Sequence, residues 1–297
     1  MIKKIHDYGY KKLFSNKTIF RQLMQTFVNQ DWVRDIDFDK TEALDKSFIS
    51  ENYKNTEGDL IVKTKLNNHD FYIYILLEFQ SSIDEFMSLR MLNYITNFYM
   101  DLLNNNKELK DLPPVFPMML YNGDDKWTSP INISELIKEN DLLGEYALNF
   151  KYFKIAENEF SLESLLKIKN IVSTLFLVET EYDLEMITNE MLSLFDNEKD
   201  KQAVSLFLNW FRILSKNGKI IEDDYKKMEE LYKDKGEVSS MLVTSINNER
   251  QRLRNEGKEE TYIELIQNMY NKGFNFELIS DITNFSIDKI KEILKVS

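Results

Sequence analysis

The sequence contains no cysteine and only two histidines, His6 and His69. Without cysteine the chain cannot form disulfide bridges, thiolate metal sites or a cysteine nucleophile. With only two histidines, neither a serine–histidine catalytic machine nor a site built from several histidine ligands is expected. Any catalysis by this chain would therefore depend on carboxylates, amides, lysine, arginine or tyrosine.

Glycine, proline and long apolar runs are scarce as well. The 8 glycines and 4 prolines among 297 residues favour long helices over a loop-rich β protein. No apolar run approaches the roughly 20 residues that span a bilayer. The first residues, MIKKIHDYGYKKLF, lack the uninterrupted apolar core of a signal peptide. We therefore expect a cytoplasmic protein with no membrane partner.

The chain is acidic, but its charge is unevenly distributed. Hydrophobic residues make up 43% and charged residues 30% of the sequence, which is typical of a globular protein. The net charge of −12 argues against a nucleic-acid partner. However, residues 1–50 carry 9 Lys and Arg against 7 Asp and Glu, whereas residues 101–200 carry 9 against 20. The acidic excess lies mainly in the middle of the chain, so charge alone does not decide the partner.

Hydrophobic periodicity predicts an α/β core followed by an α-helical extension. Helices are expected at 7–30 and 85–106, and strands at 47–53, 58–66, 71–79, 112–123 and 150–156. From about residue 161 the pattern is helical almost throughout, with Ser161 as a predicted N-cap. This order predicts three parts: an α/β domain at 1–160, a helical region at 161–256, and a C-terminal helical tail at 257–297.

The stretch FYIYILLEFQS, residues 71–81, begins as a fully buried strand and ends with Glu78 and Gln80. If Asn68 and His69 form a two-residue hairpin loop, Asp59 on the preceding strand faces Glu78. Gln80 shares that face because side chains alternate along a strand. Two facing carboxylates repel each other unless a cation neutralises them, and Mg²⁺ binds such oxygen ligands. The pattern is compatible with a metal site, but spacing alone favours acidic residues that simply end their strands, because such residues are common there.

At this point several ordered blocks become recognisable. HDYGYKKLFSN, EGDLIVKTKL, YILLEFQSSID, SLRMLNYI and LPPVFPMMLYNGDDKW resemble the Rpn family of recombination-promoting nucleases, which are also described as transposase-like proteins of the YhgA type. The resemblance covers residues 6–150 closely. It implies a PD-(D/E)XK nuclease-like core, a mixed sheet flanked by helices, and metal-dependent hydrolysis of DNA.

The resemblance also implies roles for individual residues. Asp59 matches the first metal-binding acid, and Glu78 matches the acid of the E-x-Q element, so both would bind Mg²⁺, or Mn²⁺ or Ca²⁺ in its place. Gln80 matches the amide of that element and would orient the attacking water. Asp7 is similar to an accessory acid of some superfamily members, and it is equally compatible with a capping or solvated residue.

Three further residues are candidates for contact with substrate. Lys11 could bind phosphate, although paired charges on a helix commonly form a solvated face. Arg90 and Tyr94 lie four residues apart and so share a helix face behind the hairpin. Either could contact DNA or serve in packing. Trp127 is predicted to be a packing anchor.

The C-terminal residues MYNKGFNFELISDITNFSIDKIKEILK also resemble the tail of the family. They predict a helix over 276–282, a turn, and a second helix capped by Ser286, similar in shape to a helix-turn-helix. The second helix lacks a strong basic stripe, which favours homo-oligomer formation or partner binding over DNA contact. The leading hypothesis is a Mg²⁺-dependent DNA endonuclease. The alternative is a catalytically inactive nuclease fold that acts as a protein-interaction module.

Overall fold

A computed structural model describes residues 9–44, 59–78, 83–180, 183–216, 275–283 and 285–294, together with isolated positions between 223 and 270. The chain divides into two compact units, Met1–Ser239 and Ser240–Ser297. None of the helices in these described stretches is long and apolar enough to cross a membrane. The three-part division expected from the sequence stays a prediction.

A five-stranded sheet with the order β1-β2-β3-β4-β5 forms the centre of the first unit. The strands are β1 (Ile36–Ala43), β2 (Asp59–Leu66), β3 (His69–Glu78), β4 (Val115–Tyr121) and β5 (Phe153–Ala156). Strands β1, β2 and β3 pair antiparallel, whereas β3, β4 and β5 pair parallel. This mixed sheet flanked by helices confirms the predicted α/β class.

Strand β3 is the central strand, and it is buried from Phe71 to Glu78. Its unbroken apolar run matches its position, because a strand covered on both faces needs apolar residues at every position. Complete burial of one such side chain is worth about 1.5–3 kcal/mol. The helix α3 (Met87–Asn105) crosses from β3 to β4 and covers one face through Met87, Met91, Ile95 and Phe98.

The opposite face of the sheet is associated with the N-terminal and middle helices. Residues 9–14 form α1, and the others are α2 (Lys17–Phe27), α4 (Leu162–Ile168), α5 (Ile171–Thr180), α6 (Leu184–Asn197) and α7 (Lys201–Lys216). Helix α5 packs on α2 through Phe176 and Phe27, whose ring centroids are 4.7 Å apart. Trp210 of α7 lies so close to Gly9 that a Cβ there would approach its ring within 2.1 Å.

Near the N-terminus one prediction is wrong and one strand is missed by the sequence pattern. The helix expected over 7–30 is interrupted, because the Asn16 Oδ1 accepts the backbone N–H groups of Thr18 and Ile19 and thereby starts α2 anew. The sequence pattern does not predict strand β1. Its charged outward positions hide the buried alternation of Ile36 and Phe38, as is common in an edge strand. The strand predicted at 47–53 lies outside the described residues.

The remaining elements agree with the predicted pattern. Ser161 caps α4 by accepting the backbone N–H of Ser164 at 3.3 Å. Trp127 is buried, packs against Tyr121 with ring centroids 4.9 Å apart, and donates its indole N–H to Tyr152. These contacts confirm Trp127 as a packing anchor.

The second unit contains the two predicted C-terminal helices, α8 (Phe276–Thr283) and α9 (Ile287–Leu294). Ile266, Met269, Ile279 and Ile290 form its small core. Ser286 caps α9, and its hydroxyl oxygen accepts the backbone N–H of Lys289 at 3.3 Å. The two helices expected from the sequence are therefore present, whereas the likeness to a helix-turn-helix and a role in oligomer formation stay predictions.

Candidate functional site

The candidate site lies where the three parallel strands end. Glu78, Tyr121 and Ala156 are the last residues of β3, β4 and β5, and they lie side by side in the register of the sheet. The backbone N–H of Asn122 donates to the Glu78 carbonyl at 3.1 Å, which extends this alignment by one residue. The carboxyl ends of parallel strands are a common location for binding sites in α/β proteins.

Glu78 is buried at this edge and forms an ion pair with Arg90. Only 4% of the Glu78 side chain is exposed, and its Oε2 accepts from the Arg90 Nη2 at 3.1 Å. The same guanidinium donates to the Asp84 Oδ2 at 2.8 Å and to the Tyr94 hydroxyl at 3.1 Å. Arg90 and Tyr94 therefore both lie at the candidate site, and Arg90 contacts an acidic side chain directly.

Arg90 is positioned by the helix that carries it. Because α3 packs on the sheet through Met87 and Met91, the intervening Arg90 projects toward the end of β3. Burial alone lowers the pKa of Arg90, but the hydrogen bond to Asp84, with Tyr94 and Glu78 nearby, outweighs burial and raises it. The guanidinium is thus a fixed positive charge between two carboxylates. Sequence reasoning missed Asp84.

The hairpin has a different register from the one predicted. Asn67 and Asn68 form the two-residue loop, both with positive φ angles, as a type I′ turn requires. Asp59 therefore lies opposite Leu76 and not opposite Glu78. The shift is two residues, so positions 59 and 78 still share one face, as diagonal neighbours about 7–8 Å apart between Cα atoms.

The other predicted site residues are placed only in part. Gln80 and Asp7 lie outside the described residues. Lys11 lies in α1, directly after Tyr10, whose hydroxyl reaches Glu157. The roles of Asp59, Glu78 and Gln80 in metal binding and catalysis stay predictions.

A second buried carboxylate lies at the same sheet edge. Glu157 is the first residue after β5, and 1% of it is exposed. Its Oε2 accepts from the Tyr10 hydroxyl at 3.1 Å and from the Asn122 Nδ2 at 2.9 Å. Asn122 also donates to the Tyr10 hydroxyl at 2.8 Å. Since side chains alternate along strands, Asn122 and Glu157 lie on the face opposite Glu78 and Tyr121.

Glu157 is held by neutral donors, in contrast to Glu78. Burial, and then the nearby Glu179, raise the pKa of Glu157 well above its usual range. Burial also raises the pKa of Tyr10. Sequence reasoning missed this group. The available signal was its position, because Asn122 and Glu157 each directly follow a parallel strand.

The turn after β4 is tightly packed around the Tyr121 hydroxyl. A Cβ on Gly123 would lie 2.2 Å from that oxygen, so a side chain at position 123 would displace the ring. Burial, and then Asp125, Asp124 and Glu78, raise the pKa of Tyr121. The Tyr121 hydroxyl has no hydrogen-bond partner among the described residues. Tyr121 is thus a protonated hydroxyl close to Glu78.

The described residues contain no group of three or more Asp, Glu, His or Cys side chains that could hold a metal ion. The register of the hairpin places positions 59 and 78 on one face of the sheet, and carboxylates at such positions are ligands of the kind that Mg²⁺ accepts. This arrangement fits a hard cation bound by one or two carboxylates. It does not fit a soft metal, because the chain has no cysteine.

An α/β core with a mixed sheet and buried acidic residues at the ends of its parallel strands is consistent with a nuclease-like protein. The model of a family described as “Putative transposase, YhgA-like” matches residues 4–205. The match covers more than half of the chain, and the chain belongs to this family.

Two curated proteins are similar over shorter segments. “Recombination-promoting nuclease RpnD” of Escherichia coli O157:H7 is 27% identical over 118 residues, which are 40% of this chain and 45% of RpnD. “Putative inactive recombination-promoting nuclease-like protein YjiP” of Escherichia coli (strain K12) is 27% identical over 89 residues, 30% of this chain and 86% of YjiP. The chain thus spans less than half the length of RpnD. No solved structure matches it.

Proposed function

We propose that the chain is a metal-dependent DNA endonuclease that hydrolyses phosphodiester bonds in DNA recombination. The observation that carries the proposal is the buried Glu78 at the end of β3, on the same face as position 59, in a chain of this family. The name of RpnD supports the proposed reaction. The proposed core is of the PD-(D/E)XK type.

Asp59 and Glu78 would hold Mg²⁺, or Mn²⁺ or Ca²⁺ in its place. When bound, such an ion lowers the pKa of a coordinated water and stabilises negative charge on a phosphodiester. Gln80 orients the attacking water through its amide. These assignments follow the family pattern of an acid on each strand of one hairpin.

Arg90 has two roles in this proposal. Its bond to Glu78 fixes that carboxylate, because the guanidinium is itself held by Asp84 and Tyr94. About a third of the Arg90 side chain remains exposed, which leaves the guanidinium accessible to a phosphate oxygen. The residue thus positions an acid and attracts the polyanionic substrate.

The second candidate function is a catalytically inactive nuclease fold that binds a protein partner. The Arg90–Glu78 ion pair favours it, since a guanidinium already neutralises the carboxylate that a metal would need. The relative YjiP carries the word inactive in its name. The two candidates differ in DNA binding at low salt with Ca²⁺, where phosphate contacts are strongest.

Cleavage of supercoiled plasmid with Mg²⁺, Mn²⁺ or EDTA tests the proposal. We expect nicking with either metal and none with EDTA. Asp59→Ala and Glu78→Gln should each reduce the rate about 100-fold or more, since even changes outside the ligand set cost 10–100-fold in metal affinity or activity.

Glu85→Gln is the matched control, because it makes the same change at an exposed glutamate seven residues from Glu78. It should nick at the rate of the unaltered protein. A folded protein that nicks with neither metal, or Glu78→Gln nicking as fast as Glu85→Gln, would overturn the nuclease proposal. DNA binding that is absent at low salt as well would favour the interaction module.

A further inference from the structure

A polar cavity lies next to Glu157 at the carboxyl ends of β4 and β5. It has a volume of about 210 Å³ and is lined by Asn122, Asp124, Glu157, Asn158 and Glu179, among others. About 10–15 Å³ is enough for one water, so the cavity can hold a group surrounded by several waters. The described residues that line it include no lysine or arginine.

Two buried oxygen atoms of this cavity have no hydrogen-bond partner among the described residues. They are the Glu157 Oε1 and the Asn158 Oδ1. Both side chains are fixed through their other polar atom. The Glu157 Oε2 accepts from Tyr10 and Asn122, and the Asn158 Nδ2 donates to the Gly123 carbonyl at 2.8 Å and the Asp125 carbonyl at 2.9 Å.

The chemistry of this lining is that of an acceptor site. The Asn158 amide has already used its donor group on the turn after β4, which leaves its carbonyl oxygen for a ligand. Glu179 and Asp124 add two further carboxylates to the same lining. An occupant must therefore bring positive charge or N–H or O–H donors. Oxygen ligands of this kind are those of hard cations.

We propose that this cavity binds a hydrated divalent cation of the Mg²⁺, Mn²⁺ and Ca²⁺ class, held by Glu157 and Glu179 with the Asn158 side-chain carbonyl. The site lies on the face of the sheet opposite Glu78. It is independent of the proposed function, since none of its ligands belongs to the hairpin that carries Asp59 and Glu78.

The cation site is linked to the candidate active site through Asn122. Its side chain donates to Glu157, whereas its backbone N–H donates to the Glu78 carbonyl. A cation at Glu157 thus holds the ends of β4 and β5 and the turn through Asp125 in one arrangement. Its role is to stabilise the sheet edge from which Glu78 projects.

Mn²⁺ binding measured by electron paramagnetic resonance, with thermal unfolding in parallel, tests the proposal. The experiment uses the full chain with Glu78→Gln, which removes any contribution of the hairpin site. We expect this protein to retain one bound Mn²⁺ and to unfold at a higher temperature when Mn²⁺ is added. Adding Glu157→Gln should weaken binding about 10–100-fold or more and abolish the thermal shift.

Two further variants make the result specific. Glu179→Gln in the same background should also weaken binding, whereas Glu163→Gln, at an exposed glutamate of α4, should leave it unchanged. Glu157→Gln keeps an oxygen that can accept from Tyr10 and Asn122, so the protein should remain folded. Circular dichroism without metal checks this.

The proposal is overturned if Glu78→Gln binds no Mn²⁺, because the cavity then holds water only, or if Glu157→Gln binds Mn²⁺ as tightly as Glu163→Gln. Failure of the nuclease proposal would give a different result. Plasmid DNA would remain intact, while Mn²⁺ binding by the Glu78→Gln protein would still depend on Glu157.

Discussion

The two faces of one sheet edge accommodate a buried carboxylate in different ways. On one face, Glu78 is neutralised by the guanidinium of Arg90 at 3.1 Å. On the other face, Glu157 accepts from the neutral donors Tyr10 and Asn122, and its pKa is raised. Glu78 ends a parallel strand and Glu157 directly follows one, so the difference comes from the partners on each face: Arg90 of α3 on one, and Tyr10 of α1 with Asn122 after β4 on the other.

This difference indicates which of the two carboxylates has a positive partner within the protein. The ion pair places the Arg90 guanidinium against the buried Glu78, at the cost of removing charge from water. Neutral donors leave Glu157 in an environment that favours a proton or a cation. Glu78 thus already has a positive partner in Arg90, whereas Glu157 has only neutral donors among its hydrogen-bond partners.

Removing the Arg90 guanidinium, on the face of the sheet that carries Glu78, should have the largest effect on stability. Arg90→Met keeps the apolar part of the side chain but removes the guanidinium that contacts the buried Glu78 and the partly exposed Asp84. Breaking a fully buried ion pair costs about 3–5 kcal/mol. Because 34% of the Arg90 side chain is exposed, we expect about 2–3 kcal/mol in the free energy of unfolding, measured with urea.

Arg34→Met is the control for this prediction. Arg34 pairs with Asp31 at 2.7 Å, but 72% and 99% of the two side chains are exposed. Its loss should cost less than about 1 kcal/mol. Combining Arg90→Met with Glu78→Gln should recover part of the lost stability, since the uncompensated charge is then gone. Equal losses at Arg34 and Arg90 would show that the two pairs do not differ.

Removing the neutral donor from the second face should have a smaller effect. Asn122→Ala deletes the amide that donates to Tyr10 at 2.8 Å and to Glu157 at 2.9 Å. We expect a loss of about 1–2 kcal/mol in urea unfolding, because a buried acceptor then lacks a partner. Asn97→Ala, at an exposed asparagine that donates to Asn93, should change the free energy of unfolding by only about a few tenths of a kcal/mol.

The pH dependence of stability should distinguish the face of the sheet that carries Glu157 from the face that carries Glu78. A raised pKa means that the folded protein binds the proton of Glu157 more tightly than the unfolded chain does. The stability that this proton contributes to the folded protein is fully present below the ordinary pKa near 4.5. It is lost as pH rises through the pKa of Glu157 in the folded protein. Glu157→Gln removes that loss, and without metal it should stabilise the protein at neutral pH by on the order of 1 kcal/mol.

Urea unfolding in EDTA at several pH values from about 5 to about 8 measures this effect. The difference between Glu157→Gln and the unaltered protein should grow in favour of the variant as pH rises. Glu163→Gln is the control, since its carboxylate is exposed on α4. A variant that is destabilised at every pH would mean that Glu157 is held as a charged group.

The sequence predicts those parts of the fold that depend on local pattern. The apolar run of β3 and the periodicity of α3 identify their elements because burial alone determines them. Strand β1 escapes prediction because an edge strand needs few apolar residues. The hairpin register depends on which two residues adopt positive φ, and Asn67, Asn68 and His69 offer more than one choice.

The candidate site is predictable only where its residues are close in sequence. Glu78 and the helix face shared by Arg90 and Tyr94 are visible in the sequence, but their contact depends on how α3 crosses the sheet. The group around Glu157 has no local pattern at all. Tyr10 lies 147 residues away from it, and only the folded sheet brings the two together.

The smallest effect is expected at Asp70, an exposed carboxylate at the other end of the hairpin from Glu78. Asp70 pairs with Lys65 at 2.5 Å and with Lys63 at 3.5 Å, and 41% of its side chain is exposed. The hydrogen bond from Lys65 lowers the pKa of Asp70 from its ordinary value of 3.8. The stability that this pair contributes is therefore present above about pH 4 and is lost as pH falls through the folded value.

Asp70→Asn should cost roughly 0.2–1 kcal/mol at pH 7, near the lower end because water and salt screen the pair. The difference should shrink in 1 M salt, where the screening length is about 3 Å, and should vanish at low pH. Asp111→Asn, at an exposed aspartate before β4, is the control. The Arg90→Met effect should persist in the same salt, because a buried pair is screened far less. If both effects fell equally with salt, Glu78 would be solvated like Asp70, and the first face would hold no buried charge.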